Sequence, residues 1–146
     1  GGQAILSRFA IEESKAQDFG DMLWSEMPQP LWPAEPMPGQ EVQRLSKSGH
    51  WILPIDVAGT QLTLMSFHAT TPVFDGPEDR NGHTGDPRLD TASWGRVGNL
   101  RVSYVLPSAD LSVTGSGVHW PLEGEAAEQA QTASRHRVVW VDVVID

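Results

Sequence analysis

A chain of 146 residues with 39% apolar content and six tryptophans is long enough for one domain with its own core, while eleven prolines and fourteen glycines leave room for little helix. The formal charge of −9 excludes a surface built for duplex nucleic acid, which needs a basic patch. The lack of cysteine excludes disulfides, thiolate metal sites and thiol nucleophiles, and no apolar run approaches the roughly 20 residues that span a bilayer.

In chain order, Ala4 to Phe9 predicts a short, mostly buried strand. Ile11 to Trp24 predicts a helix, with Glu12 and Glu13 in a first turn that suits the helix dipole. Met27 to Gly39 carries five prolines and is expected to be extended or irregular, with Leu31 and Trp32 as apolar anchors. Glu41 to Ser46 allows a helical turn or two. His50 to Val57 and Thr60 to Phe67 predict two strands joined by Ala58-Gly59, a two-residue hairpin connection with a glycine for positive φ. Pro54 within the first of them suggests a sheet edge or a bulge.

Ser66 to Asp90 (SFHATTPVFDGPEDRNGHTGDPRLD) holds His68 and His83 together with Asp75, Glu78, Asp79, Asp86 and Asp90. Its prolines and glycines exclude a helix or a long strand, and a loop of this length in a compact domain is either functional or a solvated surface segment. Beyond it, Asn99 to Leu106 predicts a strand, and Leu111 to Thr114 and Gly117 to Trp120 predict short strands around Gly115-Ser116. Glu123 to Ser134 is polar and Ala-rich, as in a short surface helix or loop. Arg137 to Ile145 (RVVWVDVVI) predicts a central strand covered on both faces. The expected class is α+β: a mainly antiparallel sheet of about six strands with one or two helices, forming a single domain over residues 1–146. A face bearing Val139, Val141, Val143, Leu62 and Leu64 then needs a partner surface, most simply a second copy packed sheet to sheet.

Four stretches, in order along most of the chain, resemble the endonuclease/exonuclease/phosphatase superfamily of metal-dependent phosphoesterases. They are Ala4-Ile-Leu-Ser-Arg-Phe-Ala-Ile11, Leu64 to Gly82 with its TPVFDGPEDRNG segment, Gly98-Asn-Leu-Arg-Val-Ser-Tyr-Val-Leu-Pro-Ser108 and Ala133-Ser-Arg-His-Arg-Val-Val-Trp-Val-Asp142. The members with a TPVFDGPEDRNG segment are secreted bacterial proteins. The resemblance implies one half of an αββα sandwich, completed by dimerisation. It covers the second half of the family's domain, and a Gly-Asp-(Leu/Phe)-Asn segment expected before Asn99 is missing. An acid before Tyr in one motif is Ser103 here, and the acid of a terminal Ser-Asp-His is Arg135 in Ser134-Arg135-His136.

What remains of the site the resemblance implies is the pair His68 and His136, as phosphate ligand and general acid/base. His68 ends one predicted strand and His136 precedes another, so antiparallel pairing would bring them to one edge. A divalent ion (zinc, manganese or magnesium) is expected, with ligands from His68, Asp75, His83, Asp86 and His136. It would polarise a phosphoryl oxygen and activate a water, while Arg135 clamps the phosphate. The expected substrate is a small phosphodiester. The alternative is an inactive half-domain serving as a binding or assembly module, or one piece of a larger complex. Ser116 and His119 lie close in sequence without a third member for serine hydrolysis.

Overall fold

A computed structural model describes residues 2–30, 35, 37–46, 48–68, 90–96 and 98–145. The chain divides into two units, Gly1–Ala69 and Thr70–Asp146.

The first unit is built on a hairpin. Numbering strands in chain order, β1 is Ala10–Ile11, β2 is Gln17–Asp18, β3 is His50–Val57 and β4 is Thr60–Phe67. The register of β3 on β4 is unbroken from His50↔Phe67 to Val57↔Thr60. Ala58 and Gly59 take φ of 54° and 92°, the two positive values whose twist matches that of the strands. The Gly59 N–H donates to Asp56 Oδ1 at 2.7 Å, which pins the turn.

The other edge of β3 is shared by β1, at Ile11↔Ile55, and β2, at Gln17↔Ile52. Between them the chain makes a 3-10 turn at Glu13–Lys15. This explains how Pro54 sits in an inner strand rather than at the expected edge or bulge. Its carbonyl accepts from Glu12 N–H at 3.0 Å, so its nitrogen faces the same side. That side is where Glu13–Lys15 leaves the ladder, so no hydrogen bond is lost. A groove of about 550 Å³ lies here, lined in part by Lys15, Gln17, Pro54, Gln61 and Thr63.

Two further expectations fail in this unit. Ala4 to Phe9 is not a strand; pairing begins at Ala10. Ile11 to Trp24 is not a helix, because β3 takes up its backbone groups: Phe19 N–H donates to His50 O at 2.7 Å. Asp18 Oδ1 accepts Gly20 N–H at 2.8 Å, a local bond that competes with helix formation. Further 3-10 turns lie at Trp24–Glu26 and Gln40–Val42. Leu31 and Trp32 lie outside the described residues.

The second unit contains β5 (Ala92–Trp94), β6 (Gly98–Leu100), β7 (Ser112–His119), helix α1 (Gly124–Ala133) and β8 (Val138–Val144). β5 pairs antiparallel with β6. On its other edge Ala92 bridges His136, Ser93 N–H donates to Arg135 O and Arg137 N–H donates to Thr91 O. Thr91, Ala92 and Leu100 are buried at the centre of this small layer. β7 and β8 form a separate antiparallel ribbon with a bulge between Val113 and Gly115. The two short strands expected around Gly115-Ser116 are thus one strand, β7.

The strand expected over Asn99 to Leu106 stops at Leu100, because the next N–H groups turn to a side chain: Val102 and Ser103 both donate to Thr91 Oγ1 at 2.9 Å. β8 is not covered on both faces. Among the described residues it pairs only with β7, and its exposure alternates along the strand. The class is nonetheless the expected one, α+β, with antiparallel strand pairs throughout and one α-helix among the described residues. Among the described residues the strands fall into three sheets rather than one.

Candidate active site

The most organised group of chemically capable side chains lies where residues 134–137 run beside β5. Thr91 is 1% exposed, and its hydroxyl oxygen receives the two N–H groups just after β6. That fixes the backbone at Ser103. On the facing segment, His136 is bridged to Ala92, and its own N–H donates to Ser134 Oγ at 3.0 Å. The two fixed backbones bring Ser103 Oγ to 3.2 Å from His136 Nδ1. The Trp94 ring meets the imidazole edge-on, centroids 5.5 Å apart at 83°.

The imidazole therefore has a defined seat, with one nitrogen on a hydroxyl. Such an outer contact orients a histidine for work at its other nitrogen, whether proton transfer or metal ligation. Arg135, the expected phosphate clamp, is exposed, and its carbonyl is held by Ser93. Arg137 has a structural job. Its guanidinium lies 4.6 Å from the Trp120 ring centroid and donates to Ser134 O at 2.9 Å.

His68 follows β4 as an exposed residue of the first unit, whereas His136 belongs to the second. Asp75, His83 and Asp86 lie outside the described residues. Among the described residues no three His, Asp or Glu side chains gather as a metal-binding group. His50 is a packing residue, with ring centroids of Phe19 and Phe67 at 5.6 and 5.9 Å. Sequence reasoning marked Ser103 only as a lost acid and passed over Thr91 and Trp94. A signal was present in Thr91-Ala-Ser-Trp94, a short β-prone run after the long loop.

No family model, no curated protein and no solved structure matches the chain.

Proposed function

We propose that this chain is a metal-dependent phosphoesterase acting on small phosphodiesters, with His136 as its acid–base group. The observation that carries the reading is the 3.2 Å contact between Ser103 Oγ and His136 Nδ1 on an imidazole whose backbone is tied on both sides. With Nδ1 engaged, Nε2 is the nitrogen that takes a proton from an attacking water or returns one to a leaving alkoxide. Arg135, beside it in the chain and exposed, offers a planar fork to the non-bridging phosphate oxygens. The negative overall charge turns the preference from duplex DNA toward small esters.

Zinc, manganese or magnesium would be held by Asp75, His83 and Asp86 of the same unit, which leaves Nε2 of His136 free for the proton. When bound, such an ion supplies a polarised phosphoryl oxygen and a water acidic enough to ionise near neutrality. His68 belongs to the first unit and carries no part of this assignment.

The decisive experiment is hydrolysis of a chromogenic phosphodiester before and after chelation, with single ions added back. Activity that falls with chelator and returns with one ion supports the reading. Absence of activity with every ion refutes it.

A second reading, an assembly module that makes half of a larger sandwich, is favoured by the thin core. Among the described residues only Ile55, Ala92, Leu100 and Ala127 are buried apolar side chains, while Met65 is 72% and Phe67 64% exposed. A second copy packed through a sheet face would cover such surface. Inactivity with every ion, together with a dimer mass by sedimentation, selects this reading.

A further inference from the structure

β7 carries two glycines, Gly115 and Gly117, in a strand where glycine is unfavourable unless another group must come close. The group is Trp140. In the β7–β8 register Gly117 lies opposite Trp140 and Gly115 opposite Asp142, and alternation along both strands sets the two pairs on one face. A Cβ placed on Gly117 would lie 3.1 Å from Nε1, Cε2 and Cζ2 of Trp140 alike, and one on Gly115 would lie 3.2 Å from Cζ3. Equal distances to three ring atoms mean that the indole lies flat on the strand, its length spanning both glycines. One ring face is spent on the backbone. The side chain remains 41% exposed, so the other face is open.

The neighbours of this open ring define its ligand. Opposite residues of an antiparallel pair share a face, and so do alternate residues along a strand. Asp142 thus sits on one side of Trp140 and the His119–Val138 pair on the other, with Asp142 and His119 both exposed. Asp142 offers carboxylate oxygens that accept from hydroxyl groups, and His119 offers a second polar edge. The acid, within a chain of net charge −9, disfavours nucleotides and other anionic rings. A neutral pyranose meets every feature: its C–H face covers the indole and its hydroxyl rim reaches the acid and the imidazole. Val138, Trp140 and Asp142 form one exposed row along β8, which suits an extended chain of such rings.

We infer that Trp140, laid flat on Gly115 and Gly117 and flanked by Asp142 and His119, is a binding platform for a neutral β-linked oligosaccharide. The platform uses none of the residues assigned to phosphoester chemistry, so binding is measured without turnover. Cellohexaose is titrated into the full chain by calorimetry, beside its C6-oxidised analogue, which carries a carboxylate on each ring. Saturable binding of cellohexaose is expected, with affinity falling about tenfold or more in Trp140→Ala, the loss of one stacked ring. Trp140→Phe keeps an aromatic surface and loses less, and its thermal transition serves as the folding control. Gly117→Val lifts the indole off the strand and weakens binding, while the oxidised analogue binds less tightly than the neutral chain. The proposal is overturned by absence of saturable cellohexaose binding, by equal binding in Trp140→Ala, or by preference for the oxidised analogue.

Discussion

Replacing Thr91 by valine removes a single oxygen from the second unit and leaves its shape almost unchanged. That oxygen accepts two hydrogen bonds, from Val102 N–H and Ser103 N–H, both at 2.9 Å, and the residue is 1% exposed. An orphaned buried donor costs about 1–3 kcal/mol. Both donors here belong to half-buried residues that water can partly reach, so the lower half of that range applies to each. The sum is about 2–4 kcal/mol, a large share of a domain stability of about 5–15 kcal/mol. A change of that size lowers the thermal midpoint by roughly 5–15 °C in a chain of this length. Thr91→Ser supplies the control. It keeps the oxygen and deletes a methyl group, at a cost of about 1 kcal/mol. Thermal unfolding followed by circular dichroism should rank the proteins wild type, then Thr91→Ser, then Thr91→Val. A valine variant as stable as wild type, or more stable than the serine variant, would refute the view that this hydroxyl organises the segment carrying Ser103.

His136→Gln should lower metal-dependent phosphodiester hydrolysis about a hundredfold or more while leaving the thermal transition cooperative, as expected for loss of a proton carrier; unchanged turnover places the chemistry elsewhere. Val141→Asp puts an unpaired charge on the half-buried face of β8 and should cost about 2–4 kcal/mol, read as a lost transition or a lost dimer by sedimentation. A folded, soluble monomer with the wild-type midpoint contradicts the idea that this face is packed. Asp110 has its carboxyl held below the ordinary range by the Ser108 side chain and by its own backbone N–H. A depressed folded-state value stabilises above the unfolded value of about 3.9, and the contribution is lost as pH falls through the folded value. A carboxyl titration by NMR should therefore place the Asp110 midpoint below that of Asp110 in a denatured chain.

The parts of the fold legible in the sequence are those decided by local pattern. β3 and β4 appear at the expected residues because alternation and Ala58-Gly59 agree on one register. Helix α1 and β8 fall within a residue or so of their expected ends. The misses share a cause, which is that a distant partner decided the local conformation. Residues after Ile11 could have been helical in isolation, yet β3 had a vacant edge and captured Gln17 and Asp18. Tyr104 to Leu106 has strand propensity, but Thr91 takes the N–H groups of Val102 and Ser103 first, and the ladder ends. Trp140 in β8 drew attention as apolar bulk, whereas its effect is explained only by glycines 23 and 25 residues earlier, under its ring. In the candidate site His136 was legible as a histidine before a strand. Its partner was not, since Ser103 lies 33 residues away and is a residue type with many innocent uses. Asp75, His83 and Asp86 lie outside the described residues.

The identity of that partner determines what His136 can do. An acid at position 103, as the resemblance leads one to expect, would face Nδ1 with a negative charge and stabilise the imidazolium. Ser103 makes a contact at the same nitrogen without charge. It orients the ring without adding a charge beside it. The difference can be created by one substitution. Ser103→Asp places a carboxylate on a backbone that Thr91 already fixes, within reach of Nδ1. The His136 midpoint should move upward from its wild-type position, followed through the ring C–H resonances in an NMR titration. If hydrolysis depends on His136 as a base, the acidic limb of the pH–rate profile should move upward with it. The four other histidines, His50, His68, His83 and His119, serve as internal references. An unchanged His136 midpoint would mean that the contact does not persist in solution, and the case for a preorganised imidazole would fall with it. A shifted midpoint with an unshifted rate profile would keep the contact and remove His136 from the proton-transfer step.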